Sequence, residues 1–209
     1  MSVNAPSVFI VDDDASFLVS VERLFRASGF SVKTFSSATE FLNQCPFDGA
    51  GCVVVDLQMP GMSGMELQAA MIERENPLPI IFLTAQGDIA TSVVAMRQGA
   101  EDFLTKLSPK EELLAAVKRA LARSNCEREK RAHRRELRER FDTLTPRERE
   151  VLAYVLRGQL NKQTAADLRI DVRSVKRHRT SLMSKLQVHS VAELVRLAHD
   201  AKWESDWCS

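Results

Sequence analysis

Three acids, a hydroxyl and a lysine directly follow or close the strands that the sequence predicts. Asp12 and Asp13 follow one apolar run, Asp56 follows a second, Thr84 follows a third, and Lys106 closes a fourth. The carboxyl ends of parallel strands share one edge of an open sheet, so we expect these five side chains to meet there. Three neighbouring carboxylates repel one another and favour a hard divalent cation such as Mg²⁺. Such a pocket suits phosphoryl transfer onto an aspartate.

The segments that must position these side chains alternate between strand-like and helix-like patterns over residues 7–122. Each strand is a short apolar run, as in a sheet that is covered on both faces. Between the strands, apolar residues recur at helical spacing. We therefore predict a doubly wound α/β domain with a five-stranded parallel sheet. The predicted strands cover residues 7–11, 31–35, 52–55, 80–83 and 102–105, and the predicted helices include residues 17–25, 38–44, 65–72, 88–98 and 110–122.

The net charge of +1 is the sum of an acidic part and a basic part. Residues 1–117 hold 7 basic and 15 acidic side chains, a net charge of −8, whereas residues 118–209 hold 22 and 13, a net charge of +9. The basic part is suited to a polyanion. The sequence shows no secretion signal and no run of apolar residues long enough to span a membrane, and its four cysteines have no metal-like spacing. We therefore expect a cytoplasmic location and no membrane partner.

Residues 123–142 differ from their neighbours because basic and acidic residues intermix and apolar residues are sparse. The pairs Glu127–Arg131 and Glu136–Arg140 have the i,i+4 order that stabilises a helix. No proline or glycine interrupts this stretch. We predict a solvated helical connector, and a flexible charged linker is the alternative.

The rest of the chain is predicted to be helical up to about residue 200. A hydroxyl at Thr145, a proline after it and an acid at Glu148 form a capping signature that begins the first helix. A short helix follows from Asn161, and a longer third helix has one apolar and one basic side. The third helix is predicted at residues 172–186 and a last one at 190–199. The predicted domains are residues 1–122, a helical linker at 123–142, and residues 143–209.

Four short stretches at the strand ends resemble the receiver domain of response regulators, whose fold is flavodoxin-like. The resemblance implies that Asp56 accepts a phosphoryl group from a sensor histidine kinase. Thr84 would then direct its hydroxyl onto the phosphate, and Phe103 would turn inward as a second switch residue. The matching stretches are Val11 to Asp13, Val55 to Gly64, Leu83 to Ala85 and Phe103 to Lys106.

The same resemblance implies a magnesium site and assigns a role to the lysine. Lys106 would pair with the phosphoryl oxygens as a point charge. Leu107 stands where the family usually has proline, so we expect a trans peptide bond before it. The implied ligands of Mg²⁺ are Asp12, Asp13, Asp56 and the backbone carbonyl of Gln58.

Residues 143–200 resemble the LuxR-type helix-turn-helix domain of response regulators of the NarL/FixJ family. The match is dense from Leu144 to Leu152 and recurs through the later helices. Residues 172–186 would be the recognition helix, with Val175, Leu182 and Leu186 towards the core. Its outward residues are predicted to be Arg173, Lys176, Arg177, Thr180 and Ser181. The resemblance implies base contacts by Lys176, Arg177 and Thr180, and phosphate contacts are expected from Asn161, Lys162 and Arg179.

These observations predict a two-component response regulator rather than a turnover enzyme. Phosphorylation of Asp56 would promote homodimerisation and sequence-specific binding to double-stranded DNA, and RNA polymerase is a further expected partner. A phosphatase that uses an aspartyl-phosphate is one alternative, although it would have an acid at the position of Gln58. A nucleotide-binding α/β protein is a second, although no GxGxxG follows the first strand. The third is a regulator that binds DNA regardless of phosphorylation.

Overall fold

The structure is a computed structural model that describes residues 7–44, 50–85 and 89–203. The first residue of the helix predicted at residues 88–98 lies outside these ranges, as do residues 204–209 of the predicted domain 143–209. The chain divides into two compact units, Met1–Arg128 and Glu129–Ser209, which are called the first and second units below.

Five strands of the described residues form one parallel sheet in the first unit. The strands are β1 (Ser7–Val11), β2 (Ser31–Phe35), β3 (Gly51–Asp56), β4 (Ile80–Thr84) and β5 (Asp102–Thr105). Their order in the sheet is β2-β1-β3-β4-β5, so the direction of winding reverses between β1 and β3. Ligands bind at such a reversal, beyond the carboxyl ends of the strands. The predicted doubly wound fold is confirmed.

Helices cover both faces of this sheet because successive strand residues point to opposite sides. The helices are α1 (Ala15–Ala27), α2 (Ala38–Gln44), α3 (Gly64–Glu73), α4 (Ile89–Arg97) and α5 (Lys110–Asp142). Val8 and Ile10 of β1 pack with α1 and α5, whereas Phe9 and Val11 pack with α2, α3 and α4. Cys52 is fully buried, and burial raises the pKa of its thiol to about 12, so it acts as a small apolar group.

Helix α5 is continuous over 33 residues. Its early residues Leu113 and Val117 pack on the sheet, and its late residues Leu137 and Phe141 belong to the core of the second unit. The predicted helical connector is therefore confirmed as helix, and the flexible linker is wrong. The domain boundaries at residues 122 and 142 stay a prediction.

Four short helices complete the second unit. They are α6 (Pro146–Leu156), α7 (Asn161–Asp167), α8 (Val172–Lys185) and α9 (Val191–Asp200). The capping box of Thr145 and Glu148 begins α6 as predicted, and Asp171 caps α8. The side chains of Val175, Leu182 and Leu186 are buried, which confirms the predicted apolar side of α8 and its end. The ring of Trp203 stacks on that of Phe141, with centroids 5.5 Å apart.

Candidate functional site

Three carboxylates converge beyond the carboxyl ends of β1 and β3. Asp56 ends β3, and Asp12 and Asp13 follow β1, where Val11 lies opposite Val55 in the parallel register. One carboxylate oxygen of each acid lies within 4.8 Å of those of the other two. Asp12 and Asp56 are buried and Asp13 is exposed. Such a set of oxygen donors fits a hard divalent cation.

The ammonium of Lys106 lies against this cluster. Its Nζ is 2.7 Å from Oδ2 of Asp12 and 2.9 Å from Oδ2 of Asp56. The backbone N–H of Lys106 donates to the carbonyl of Thr84 at 2.7 Å, which ties the loop after β5 to the end of β4. The same Nζ lies 4.4 Å from the ring centroid of Phe17 in α1, a cation–π distance. The sequence reading missed Phe17 because helical spacing marks it only as a core residue.

One ammonium offsets only part of the charge of three acids. Burial raises the pKa of Asp12 more than the hydrogen bonds from Lys106 and the backbone of Asp14 lower it. Burial lowers the pKa of Lys106, but hydrogen bonds and charge interactions with Asp12 and Asp56 outweigh it and raise the pKa above its ordinary value. The lysine therefore stays protonated at neutral pH, and it is the ammonium that contacts two of the three clustered acids.

The loop after β3 folds back onto Asp56. The backbone N–H of Gln58 donates to Oδ1 of Asp56 at 3.3 Å, and the side chain of Gln58 is exposed. A Cβ on Gly64 would lie 2.4 Å from the backbone oxygen of Asp56, so only glycine fits this close approach. Ser63 and Glu66 then form a capping box that begins α3. Both oxygens of Asp56 are therefore held, Oδ1 by the loop after β3 and Oδ2 by Lys106.

The two predicted switch residues lie on neighbouring strands. Thr84 is buried at the end of β4. Phe103 of β5 is half-buried, packs against the core on the α4 side, and has its ring centroid 5.9 Å from that of Phe82. The peptide bond before Leu107 is trans, as expected, and Leu107 is 89% exposed. Lys106 nevertheless reaches the acids.

A second candidate surface lies on α7 and α8 of the second unit. Lys162, Lys176, Arg177 and Thr180 are exposed. Asn161 and Arg179 are half-buried and contact each other, since Nη1 of Arg179 donates to Oδ1 of Asn161 at 2.9 Å. This contact orients the guanidinium of Arg179 from the neighbouring helix.

One outward prediction for α8 is wrong. The hydroxyl of Ser181 donates to Oε1 of Glu148 at 2.6 Å instead of facing solvent. Oε2 of Glu148 accepts hydrogen bonds from Lys185 at 2.7 Å and from the backbone N–H of Thr145 at 2.8 Å. Burial by itself raises the pKa of Glu148, but the hydrogen bonds from Lys185, Ser181 and Thr145 outweigh it and lower the pKa to about 2. The sequence marked Glu148 only as a helix cap.

Comparison with known families identifies both units. Residues 8–118 match the response regulator receiver domain, and residues 142–198 match the bacterial regulatory proteins of the luxR family. The chain belongs to the NarL/FixJ family of response regulators. It is a two-component response regulator with a helix-turn-helix DNA-binding domain, as the sequence predicted.

Individual response regulators match over nearly the whole chain. The response regulator protein TodT of Pseudomonas putida is 42% identical over 202 residues, which cover 97% of this chain and 89% of TodT. The transcriptional regulatory protein FixJ of Bradyrhizobium diazoefficiens is 36% identical over 199 residues, 95% of this chain and 97% of FixJ. A structure of the response regulator StyR is 42% identical and superposes with a TM-score of 0.81, covering 94% of this chain and 99% of StyR. Among the described residues, no helix is both long and apolar enough to cross a bilayer.

Proposed function

We propose that a sensor histidine kinase phosphorylates this response regulator on Asp56 and thereby controls its binding to DNA. The convergence of Asp12, Asp13 and Asp56, with the ammonium of Lys106 against two of them, carries this proposal. The cluster supplies a buried carboxylate as acceptor, oxygen donors for a metal, and a cation for the transferred group. Transfer then depends mainly on positioning and on electrostatic stabilisation.

Each residue at the acid cluster has its own proposed role in phosphorylation. Asp56 is the nucleophile, oriented by Lys106 on one oxygen and by the backbone of Gln58 on the other. Bound Mg²⁺ supplies positive charge at the transferring oxygens. Lys106 follows the new phosphoryl group as a mobile point charge, and Thr84 donates its hydroxyl to it. The proposed metal ligands are Asp12, Asp13, Asp56 and the backbone carbonyl of Gln58.

The exposed side of α4 supports dimerisation through the receiver domain. Of the residues of α4, all of which the structure describes, only Ala95 is buried. Ile89 is 82% exposed, and Val93 and Met96 are also exposed. Burial of these apolar side chains against a second copy stabilises a dimer. We propose that the movement of Thr84 and the ring of Phe103 selects the arrangement of α4 that forms this contact.

The exposed basic side of α8 supports sequence-specific contact with double-stranded DNA. Lys176, Arg177 and Thr180 project from α8 and reach base edges in the major groove. Lys162, and Arg179 held by Asn161, contact phosphates and fix the position of the domain. A dimer brings two such helices to two half-sites, and RNA polymerase is the proposed downstream partner. The proposed domains are residues 1–122, the linker 123–142 and residues 143–209.

Mass spectrometry of the intact chain tests the acceptor. Incubation with acetyl phosphate and Mg²⁺ is expected to add one phosphoryl group to the wild-type chain and none to Asp56→Asn. Asp142→Asn is the matched control, because Asp142 is an exposed acid at the end of α5. Absence of an adduct on the wild-type chain contradicts the proposal and favours the regulator that binds DNA without phosphorylation.

DNA binding separates the two proposed classes of contact. Duplexes selected from a random library by the phosphorylated chain serve as ligands. Lys176→Ala is expected to reduce discrimination between selected and random duplexes by about 1–3 kcal/mol. Lys162→Ala is expected to weaken both equally and to lower the salt dependence by about one counterion. The reverse pattern would show that the roles are exchanged.

A further inference from the structure

A cavity of about 460 Å³ lies on the α1 side of the sheet, beside the acid cluster. Residues of α1, the end of β4, the end of β5 with its following loop, and the first turns of α5 form its walls. This volume is in the range of sites that hold small organic molecules. Lys106 is the one member of the proposed phosphorylation site that also lines the cavity.

The charges around the cavity are unlike those of the rest of the first unit. Residues 1–117 contain 15 acidic and only 7 basic side chains. Three of the seven, Arg23, Lys106 and Lys110, line the cavity, and none of the described residues that line it is acidic. The lining residues by themselves therefore favour an anion over a metal cation, and one of their three cations, Lys106, is shared with the acids Asp12 and Asp56.

The remaining walls select the kind of anion. Phe17, Leu24 and Leu113 supply apolar surface. The hydroxyl-bearing residues of the lining are Ser20, Thr105 and Ser108. Inorganic phosphate has no apolar part and would leave this apolar surface without a matching group. A molecule with one carboxylate and an apolar body satisfies both kinds of wall.

We propose that this cavity binds a small amphipathic carboxylate and that the bound carboxylate regulates phosphorylation. A ligand carboxylate and the acids Asp12 and Asp56 compete for the one ammonium of Lys106, which now lies 2.7 and 2.9 Å from these acids. Occupancy therefore slows phosphoryl transfer, and phosphorylation weakens binding in return. This regulation rests on the proposed phosphorylation of Asp56, whereas binding does not.

Calorimetric titration of the full-length chain tests the binding. The probes are 1-naphthoate and octanoate, and 1-naphthamide is the uncharged comparator. We expect at least one carboxylate to bind with a dissociation constant of about 1 mM or below. Arg23→Glu combined with Lys110→Glu changes two exposed residues and is expected to weaken carboxylate binding about tenfold. Arg97→Glu, at the end of α4 and away from the cavity, is the matched control and is expected to bind like the wild type.

Three results would overturn the binding site. They are the absence of binding of both carboxylates up to about 10 mM, equal binding by the double variant and Arg97→Glu, and equal binding of naphthamide and naphthoate.

Regulation is tested separately by the rate at which acetyl phosphate modifies the chain. We expect the bound carboxylate to slow this rate about threefold or more in the wild type and not in the double variant. An unchanged rate with bound ligand overturns the regulation alone, whereas a chain that takes no phosphoryl group even without ligand overturns the proposed function.

Discussion

Each unit of the protein contains a lysine paired with a buried carboxylate at the same distance, yet the two pairs have different surroundings. Lys106 lies 2.7 Å from Asp12, which is 1% exposed, and Lys185 lies 2.7 Å from Glu148, which is 4% exposed. Burial opposes ionisation in both acids. They differ in the hydrogen bonds that each acid accepts and in its charged neighbours, because Asp56 lies beside Asp12 and raises its pKa further.

Glu148 has all the donors that a buried carboxylate requires. An ammonium, a hydroxyl and a backbone N–H reach its two oxygens, and its pKa falls to about 2. In the first unit Asp12 and Asp56 share one ammonium and each accepts one backbone N–H, Asp13 lies beside them, and the pKa of Asp12 rises. A fully paired acid holds helices together, whereas a cluster short of positive charge is ready to bind a further cation or a transferred group.

Removal of the lysine from the incompletely paired cluster is expected to have the largest effect. In Lys106→Met the rate of phosphorylation of Asp56 is expected to fall about 100-fold or more, because the transferred group loses its cation. Mg²⁺ is expected to bind about tenfold more tightly, because a competing positive charge is gone. Phosphorylation is followed by intact mass and Mg²⁺ binding by calorimetry, with the exposed Lys118→Met as control. Weaker binding of Mg²⁺ by Lys106→Met would contradict the view that the acid cluster is incompletely paired and that Lys106 competes with the metal.

Loss of the charge from the fully paired acid is expected to lower stability instead. Glu148→Gln is expected to reduce the free energy of unfolding of the second unit by about 2 kcal/mol, because Lys185 and Ser181 lose a charged acceptor. Trp203 packs against the core of the second unit, so its fluorescence during urea denaturation follows this unit. The control is Glu139→Gln, on the exposed surface of α5, which is expected to change little. Equal stabilities of the two variants would show that the network contributes nothing.

The stability that Glu148→Gln loses depends on pH, because the pKa of Glu148 is lowered in the folded chain. Glu148 has a pKa of about 2 in the folded chain and an ordinary value of 4.5. The stabilisation is therefore complete above about pH 5, and it is lost as the pH falls from there through 2. The difference in unfolding free energy between the wild type and Glu148→Gln is expected to shrink over this range and to be constant from pH 5 to 7. A difference that persists undiminished at about pH 3 would contradict the assignment of the charge to Glu148.

The smallest expected effect concerns the aromatic ring beside Lys106. Phe17→Leu is expected to slow phosphorylation about threefold, because the ammonium loses its cation–π contact. Phe17→Tyr keeps a ring and is expected to react like the wild type. The affinity for Mg²⁺ is expected to stay unchanged in both variants, since neither touches a carboxylate. Equal rates of phosphorylation for Phe17→Leu and Phe17→Tyr would show that the aromatic ring does not contribute to the reaction.

Much of the fold followed from local pattern. The strand ends at Val11, Phe35 and Thr105 agree with the predictions, because short apolar runs in a covered sheet are distinctive. Helix α6 begins at the predicted capping box of Thr145 and Glu148. The choice between a helical and a flexible connector stayed open, because residues that carry only i,i+4 charge pairs form marginal helices.

Contacts between distant segments were less accessible to sequence reasoning. Ser181 was assigned to the outer side of α8 from periodicity, yet it faces Glu148 on α6. Phe17 and Lys106 are far apart in sequence, and helical spacing alone cannot show that the ring lies under the ammonium. The cavity beside them is formed by segments of four elements and has no local sequence signal.

The sequence by itself determined which residue types stand at the ends of the strands and which helix carries basic side chains, because both properties depend on local order along the chain. Only the tertiary structure decided how many donors each buried acid receives. That number depends on side chains brought together from separate elements, and it distinguishes the paired Glu148 from the acids around Asp56.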